Sequence, residues 1–304
     1  MTNRPTATYS IVAIDKAHGQ MGIAVQSHWF SVGSITGWIE PDVGVIATQS
    51  FHDLAHGQLG LALLKAGKTP DEALTALKSI DPTPGVRQTA ILDVNGRVGV
   101  HTGDQCIPES GHVLGEGFST QANTMRNTGI WPAMAASFRR SEGSLAQRLM
   151  DALDAGEAAG GDVRGRQSAS ILIMRTRSTG LRWKDKIVDL RVDDHKEPLK
   201  ELRRLLRIHE AYQHAINADT LMTEGKIQEA MQEYSYADEK APEIEESRFW
   251  QAVALASKGR MEEAAPLLKT VFAVNPDWKQ VLRSLPRTRL FDLDEKATST
   301  LLQL

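Results

Sequence analysis

The chain has 304 residues, of which 41% are hydrophobic and 24% are charged, and its formal net charge is −3. This composition is that of a soluble globular protein, and the length favours two domains over one. The small net charge gives no electrostatic reason to expect nucleic acid or an anionic membrane as a partner, and no apolar run is long enough to span a bilayer. The segment Met1–Ala7 lacks the apolar stretch of a secretory signal, so we expect a cytoplasmic protein. Cys106 is the only cysteine, which excludes an internal disulfide and a cysteine-built zinc site.

Alternating apolar and polar residues predict β-strands at the start of the chain. The first two strands, 8–14 and 22–27, are joined by a short glycine-containing turn, and a third strand spans 43–49. A helix is predicted from 57 to 66. Another helix begins at Thr69, where a capping threonine is followed by a proline suited to the first turn and by acidic residues that suit the positive helix end.

A hairpin and a second group of elements follow. Asn95 and Gly96 are a strong two-residue turn signal between the predicted strands 88–93 and 97–101. The next elements are a strand, two amphipathic helices and a late pair of strands, at 118–122, 130–139, 145–155, 168–175 and 187–192. Strands, helix pairs and strands in this order predict an α+β layered fold rather than strict βαβ alternation.

The last third of the chain repeats itself at an offset of 34 residues. The segment 225–230 (GKIQEA) aligns with 259–264 (GRMEEA). The same offset joins four further pairs, namely Ala218 with Ala252, Leu221 with Leu255, Ala237 with Val271, and Pro242 with Pro276. The period and the residue types predict tetratricopeptide-like helical hairpins, in which small residues let two helices approach closely and glycine ends the first helix.

The segments around the two repeats are expected to complete a helical domain. The segment 279–304, with Leu282, Leu285, Leu290 and Leu293, is predicted to cap the second repeat, and 199–216 to pack on the first. Because charge and proline interrupt the apolar pattern at 193–198, we divide the chain into domains 1–197 and 198–304. A bare hairpin array and a groove for a protein partner are equally compatible with the repeats, which also suit a docking or oligomerisation role, and we expect a homo-oligomer.

Five segments of the first domain carry a family resemblance. They are 8–13 (TYSIVA), 26–33 (QSHWFSVG), 44–49 (GVIATQ), 160–169 (GGDVRGRQSA) and 188–195 (VDLRVDDH). In this order, and from Thr8 to about Arg207, the chain resembles the family called domain of unknown function 1028. That family is grouped with the N-terminal-nucleophile (Ntn) hydrolases, and some members carry a helical extension. The resemblance therefore implies a four-layer αββα sandwich and hydrolysis of a small amide.

The resemblance implies that Thr8 is the nucleophile. An Ntn enzyme uses the free α-amino group of its first residue, with a pKa of about 7.7–8.0, as the base for the side chain of that residue. Because Thr2–Ala7 stand before Thr8, this route requires their removal; without it the domain is catalytically silent or uses another base. Ser10 lies two residues further on the same strand face and is the second candidate. An ordinary first-strand residue is the alternative reading of Thr8.

Ser27 and His28 end the second predicted strand, close to the first. Neighbouring residues of a strand point to opposite faces, so these two cannot act together as a dyad, although either can line the site. A packed or surface histidine is the alternative to His28 as a base.

The loop 160–169 combines two glycines with a dense group of polar side chains, Asp162, Arg164, Arg166 and Gln167. A carboxylate and forked guanidinium groups suit recognition of a small zwitterionic or carboxylated substrate. An internal network of aspartate and arginine that holds the loop is equally compatible with this pattern.

Side-chain amides near strand ends complete the candidate site. The oxyanion of an acyl transfer needs preorganised donors, and Gln49, Gln121 and Asn123 are placed to supply them. We therefore expect a hydrolase of a small amide that takes a small-molecule substrate and needs no cofactor. A non-catalytic metabolite-binding or scaffold protein, with protein interaction through the repeats, is the alternative.

A zinc motif is also tested against the sequence. The segment 52–56 (HDLAH) resembles the His-Glu-x-x-His pattern, with aspartate in place of glutamate. That pattern requires both histidines on one helix face, whereas this segment follows a strand and is expected to form a loop that opens a helix. We therefore assign no metal to the site.

Overall fold

The computed structural model describes residues 5–288 and 293–304. The chain divides into two compact units, Met1–Arg204 and Leu205–Leu304. The first is an α+β unit with antiparallel sheets, and the second is helical. The division falls inside the helix Pro198–Thr223, which begins where the sequence predicted the domain boundary because proline is tolerated in the first turn of a helix.

The described part of the first unit contains two antiparallel sheets. Their strands are β1 Thr8–Asp15, β2 Gln20–Ser27, β3 Gly37–Glu40, β4 Gly44–Ser50, β5 Arg87–Asp93, β6 Val98–Thr102, β7 Gly111–Gly115, β8 Phe118–Asn123, β9 Ser168–Arg175 and β10 Lys186–Val192. The larger sheet has the strand order β10-β9-β2-β1-β8-β7, and the smaller has the order β3-β4-β5-β6. The first strand therefore lies in the middle of the larger sheet, between β2 and β8.

Helices cover one face of each sheet. Those of the first unit are α1 Leu54–Lys65, α2 Pro70–Ile80, α3 Ile130–Arg140, α4 Leu145–Ala158 and the short α5 Arg182–Asp185. The helices α1 and α2 pack on the smaller sheet, and α3 and α4 pack on the larger sheet. The two sheets contact each other through their remaining faces, so an apolar layer lies between them.

The layer between the sheets is built from every second residue of each strand, whose side chains face inward. Val12 and Ile23 of the larger sheet contact Val45 and Leu92 of the smaller sheet, and all four are buried. Burial of a side chain of this size contributes about 1.5–3 kcal/mol. The period-2 pattern of the predicted strands therefore has a direct structural cause.

Local capping and turn residues set the element ends. Thr69 accepts a hydrogen bond from the backbone N–H of Glu72, and the Glu72 carboxylate accepts from the N–H of Thr69, which is a complete capping box. Gly96 has a φ of +86°, as the predicted hairpin turn requires. The first helix starts at Leu54, earlier than predicted, because the Asp53 carboxylate caps it by accepting from the N–H of Ala55.

The sequence did not predict β3, β7 or the short α5. The two strands lie at sheet edges, are partly exposed, and carry glycine at one or both ends. Their sequences therefore show little alternation, and they are strands because β4 and β8 supply hydrogen-bonding partners.

The helical unit contains two hairpins with the same period. Its helices are α6 Pro198–Thr223, whose start belongs to the first unit, α7 Ile227–Lys240, α8 Glu245–Ser257, α9 Met261–Val274, α10 Trp278–Ser284 and α11 Glu295–Leu302. The starts of α7 and α9 are 34 residues apart, as are their ends. The segment 199–216, predicted to pack on the first repeat, is continuous with the first helix of that repeat.

The turns of the two hairpins also repeat bond for bond. Gly225 and Gly259 have φ values of +78° and +77°, a left-handed conformation that glycine adopts without steric cost. Each donates to the carbonyl three residues earlier, and the next residue donates to the carbonyl five residues earlier: Gly225 to Met222, Lys226 to Leu221, Gly259 to Ala256 and Arg260 to Leu255. This confirms the 34-residue structural repeat.

The C-terminal segment packs on the second hairpin, as predicted. Leu282, Leu285 and Leu293 are buried in one cluster with residues of α8 and α9, while Leu290 lies outside the described residues. Within the ranges that the structure describes, no helix has both the length and the apolar character needed to cross a membrane.

Candidate functional site

The layer between the sheets changes from apolar to polar toward one end. On β1 the inward residues after Val12, read toward the N-terminus, are Ser10 and Thr8, and the same change occurs on the strands paired with it or facing it. We call the resulting cluster the polar end; it consists of Thr8, Ser10, Gln49, Gln88, Gln121 and Asn123. All six residues are fully buried. Buried polar groups are stable only when they are hydrogen-bonded, so the partners of each one decide its role.

Gln88 is the centre of the polar end. Its Oε1 accepts from Gln49 Nε2 at 2.7 Å and from Asn123 Nδ2 at 2.9 Å. Its Nε2 donates to the carbonyl of Ala122 at 2.8 Å and to Thr102 Oγ1 at 2.9 Å. One amide thus ties the smaller sheet to the larger one.

Ser10 joins the amides of Gln49 and Gln121. Its hydroxyl donates to Gln49 Oε1 at 2.7 Å and accepts from Gln121 Nε2 at 2.6 Å. Gln49 and Asn123 also donate to the carbonyl of Thr8, at 3.3 and 3.4 Å. Because these amides bond to protein groups, they hold the backbone of Thr8 in place. Their predicted contact with an oxyanion stays a prediction.

Two donors converge on the peptide bond before Thr8. The carbonyl oxygen of Ala7 accepts a short hydrogen bond from Ser27 Oγ and a second bond from Arg164 Nη2 at 2.9 Å. The Thr8 hydroxyl donates to the carbonyl of Thr6 at 2.8 Å, so it lies on the side of the preceding residues. Ala7, Thr8 and Ser27 are fully buried. The structure therefore brings Thr8 and Ser27 together at one amide bond.

Asp162 orients the arginine that reaches this bond. The guanidinium of Arg164 contacts both oxygens of the Asp162 carboxylate, at 2.9 and 3.2 Å, and the carboxylate is fully buried. Asp162 also accepts from the backbone N–H of His28 at 3.1 Å. The predicted internal pair of aspartate and arginine is present, and it holds a donor at the site.

The remaining predicted residues lie away from Thr8. His28 is exposed, and its Nδ1 is 3.3 Å from the carbonyl of Arg166. The guanidinium of Arg166 bonds to Glu157, which also accepts from Tyr9 on the opposite, helix-covered face of β1. Gln167 bonds to Asp194. The loop thus sends Asp162 and Arg164 to the site and does not bring Arg166 and Gln167 there.

The residues before Thr8 are held as an extended segment. Thr6 exchanges two backbone hydrogen bonds with Ser50, at 2.7 and 3.2 Å, and its Oγ1 is 2.6 Å from His52 Nδ1. Ser50 has a φ of +70°, a left-handed conformation that costs a non-glycine residue about 1–2 kcal/mol. Burial, reinforced by the positive charge of Arg87, lowers the pKa of His52, so its ring is neutral at pH 7.

The HDLAH segment does not place both of its histidines on one helix face. The helix begins at Leu54, so His52 precedes it. Asp53, His56 and Asp81 offer ligand atoms within 4.8 Å of one another. However, Arg87 bonds to both oxygens of Asp81, and its positive charge opposes a cation there. These residues fit an internal ion-pair cluster better than a metal.

Sequence reasoning missed three contributors to the site, Thr6, Ala7 and Gln88. The position of Gln88 at the start of a predicted strand, on the same alternation as the core residues, was an available signal. Thr6 and Ala7 carried no such signal because they precede the first predicted strand. Cys106 is buried, burial raises its pKa, and its thiol donates to the carbonyl of Arg87, so it is an inert thiol.

The first unit is thus a two-sheet α+β protein with a buried polar cluster at one end of the layer between its sheets. Residues 8–202 match the model of a family described as "Family of unknown function (DUF1028)". Because the match spans more than half of the chain, the protein belongs to this family.

The comparison with solved structures agrees with this assignment. The chain is similar to protein SPO2555 from Silicibacter pomeroyi, whose crystal structure is ascribed to the same family. The two are 27% identical with a TM-score of 0.61, and the similarity covers 66% of this chain and 85% of that chain. No curated protein matches the chain. The comparisons therefore establish family and fold, and an activity must be argued from the site.

Proposed function

We propose that this protein is an Ntn-type amidohydrolase whose first unit is the αββα sandwich of that class. In this proposal Thr8 is the nucleophile, and it becomes N-terminal when the chain cleaves its own bond between Ala7 and Thr8. The observation that carries the proposal is the carbonyl of Ala7, on which the Ser27 hydroxyl and the Arg164 guanidinium converge. Two fixed donors on a carbonyl oxygen stabilise the negative charge that develops when a nucleophile attacks its carbon.

The cleavage step requires only residues of the chain and water, and no cofactor. The Thr8 hydroxyl oxygen adds to the Ala7 carbonyl carbon, and Ser27 and Arg164 hold the resulting oxyanion. The C–N bond then breaks, the hydroxyl proton passes to the leaving nitrogen, and an ester joins Ala7 to Thr8 Oγ1. Water hydrolyses the ester, which releases residues 1–7 with a new carboxylate on Ala7 and leaves Thr8 with a free amine and a free hydroxyl.

The mature site repeats the same chemistry on a substrate. The amine of Thr8, with an ordinary pKa of about 7.7–8.0, accepts the proton of its own hydroxyl as the oxygen attacks a small amide. Ser27 and Arg164 take the oxyanion, and the amides of Gln49 and Asn123 keep the Thr8 backbone in place. The positive charge of Arg164 also favours a carboxylated substrate.

Mass spectrometry of the purified full chain tests the first step. Incubation near pH 8 is expected to release residues 1–7, and Thr8→Ala is expected to abolish the release. Thr8→Ser retains the hydroxyl and should release the segment, whereas Thr75→Ala, at an exposed helix position, should behave as wild type. An intact wild-type chain, together with no amide hydrolysis by a chain made to begin at Thr8, would contradict the proposal.

A non-catalytic binding or scaffold protein is the second candidate, and one observation favours it. In the uncut chain Thr6 and Ala7 lie directly before Thr8, and the amides of the polar end are bonded within the protein. If the full chain stays intact and hydrolyses nothing, a metabolite screen by thermal shift distinguishes a binding protein, which is stabilised by a ligand, from a scaffold.

For the helical unit we propose the tetratricopeptide-like class and a role in protein association, including assembly of a homo-oligomer. The 34-residue period of its helices and glycine turns supports this proposal. Light scattering on the full chain tests the homo-oligomer, and a monomer at all concentrations would contradict it.

A further inference from the structure

We infer that Thr6 and Ala7 occupy the acyl side of the site in the way a substrate does. The site would therefore take short peptide-like amides with an alanine-sized residue next to the scissile bond and a threonine-like residue before it. This inference deepens the proposed function and rests on it for the identity of the scissile bond. Three observations support it: the backbone pairing of Ser50 with Thr6, the burial of Ala7, and the contact between His52 and Thr6.

Ser50 fixes the backbone of Thr6 by pairing with it. Both the N–H and the C=O of Ser50 bond to Thr6, which adds one residue of extended chain to the end of β4. Extended peptides bind to protein edges through such main-chain pairs, which supply affinity independently of side chains. Ser50 also holds a strained left-handed backbone, and strain of this kind clusters at functional sites. A peptide-like substrate would therefore bind here in the extended conformation of Thr6.

The burial of Ala7 limits the size of the residue next to the scissile bond. Its side chain is fully buried, while its carbonyl is fixed by Ser27 and Arg164. A larger acyl residue cannot shift outward without leaving these donors, so it must overpack its surroundings. The same two donors also face the carboxylate that forms when the acyl product is released. Arg164 is kept in position by the buried carboxylate of Asp162.

The contact between His52 and Thr6 indicates which side chain the site prefers before the acyl residue. Its Nδ1 is 2.6 Å from the hydroxyl of Thr6, and both residues are buried. A buried ring nitrogen that loses a hydroxyl partner is costly, so a residue without a hydroxyl at this position should bind less well. His52 precedes α1 and contacts Thr6, so its role in this inference is to bind the peptide side chain and not a zinc ion.

Binding to the proposed mature chain tests the inference apart from catalysis. A chain made to begin at residue 8 and carrying Thr8→Ala is titrated by calorimetry with the acid acetyl-Pro-Thr-Ala, with acetyl-Pro-Thr-Leu and with acetyl-Pro-Val-Ala. We expect the leucine peptide to bind at least about tenfold more weakly and the valine peptide about tenfold more weakly than the first. In the matched His52→Ala background the penalty for valine should disappear, while the penalty for leucine should remain.

The outcomes separate the inference from the proposed function. The chain beginning with an unaltered Thr8 is assayed on the p-nitroanilides of acetyl-Thr-Ala and acetyl-Thr-Leu. Selective peptide binding without hydrolysis of any amide would overturn the function and leave the acyl-side assignment standing. Hydrolysis with equal kcat/KM for both anilides, or equal binding of the peptides, would overturn the inference and leave the function standing.

Folding of the shortened chain provides the last control. If the chain beginning at residue 8 folds only when acetyl-Pro-Thr-Ala is added, as judged by circular dichroism, the peptide is replacing the missing segment and the inference is supported. If it folds neither alone nor with the peptide, Thr6 and Ala7 are structural strand residues and the inference is wrong. In the full chain, Ala7→Leu is expected to slow self-release at least about tenfold and Ala7→Gly to retain it.

Discussion

The two ends of the layer between the sheets are built from the same strands and yet are stabilised in different ways. At one end Val12, Ile23, Val45 and Leu92 are buried by contact. At the other end the same alternation places hydroxyls and amides inward, and Gln88, Gln49 and Asn123 each bond to groups on both sheets. Apolar burial depends on area and volume, whereas hydrogen bonds depend on direction. The apolar end can therefore tolerate changes of shape, while the polar end fixes the positions of individual atoms beside Thr8.

The largest expected effect is that of Gln88→Met, which keeps the volume and removes the amide. Gln49 Nε2 and Asn123 Nδ2 lose their shorter acceptor, and the carbonyl of Ala122 loses a donor. A hydrogen bond lost from a partner that stays buried costs about 1–3 kcal/mol, so we expect the loss of these three bonds to lower the free energy of unfolding by about 4 kcal/mol. Urea denaturation measures this change. The exposed Gln58→Met is the matched control, with little expected change, and a loss below about 1 kcal/mol for Gln88→Met would show that the Gln88 amide contributes little to stability.

A smaller loss is expected from Ser10→Ala at the same end. The change removes the donor to Gln49 Oε1 and the acceptor of Gln121 Nε2. We expect the free energy of unfolding to fall by about 2 kcal/mol, measured in the same urea series. Ser79→Ala, on the exposed side of α2, is the control for loss of a hydroxyl. If both serine changes had equal effects, the hydrogen bonds of Ser10 would contribute nothing specific to stability.

The apolar end should tolerate the corresponding change, Leu92→Met. Methionine replaces leucine with nearly the same volume and no polar atom, and volume-conserving swaps in a core cost less than about 1.5 kcal/mol. We expect a loss of about 1 kcal/mol in the free energy of unfolding. Both variants introduce methionine, one at each end of the layer. The difference between their losses in the free energy of unfolding therefore measures how much the hydrogen bonds of Gln88 contribute. Similar losses in the two variants would show that shape alone governs both ends.

The smallest effect, for which the sign is the prediction, is the pH dependence at the polar end. His112 Nδ1 is 2.8 Å from the hydroxyl of Thr102, which accepts from Gln88. Burial lowers the pKa of His112 from its ordinary 6.5, and nearby His101 lowers it further. Burial lowers the pKa of His52 and His56 in the same direction. The unfolded chain therefore takes up protons first, so stability is complete above about pH 6.5 and falls as the pH drops through the folded-state pKa values.

Urea denaturation at about pH 7.5 and about pH 5.5 checks this sign. We expect His112→Gln to reduce the loss of stability on acidification, since it removes one of the three groups. The effect of Leu92→Met should be the same at both pH values, because its contacts are apolar. Asp81, whose pKa is lowered from its ordinary 3.8 because its hydrogen bonds from Arg87 outweigh the effect of burial, titrates below this window. A wild-type stability that rises on acidification would contradict the assignment.

The structure brings some of the residues named from the sequence together and separates others. Thr8, Ser27 and Arg164 were each named as candidates, and the structure gathers them at one peptide bond. Arg166 was grouped with Arg164, yet it bonds to Glu157. Gly165, with a φ of +109°, lies between the two arginines, and the chain direction it allows cannot be read from neighbouring residues.

Features whose physical causes lie within a few residues could be predicted from the sequence. They are the alternation of the strands, the capping box at Thr69, the turn at Gly96 and the hairpin turns at Gly225 and Gly259, which recur after 34 residues. Which of these elements meet depends on the tertiary structure. The carbonyl of Ala7 takes its two donors from residues 20 and 157 positions away, because β1 pairs with β2 and the loop before β9 returns to the same end of these strands. Sheet order is set by long-range packing of whole faces, so a site assembled from strand ends becomes visible only after the sheets are formed.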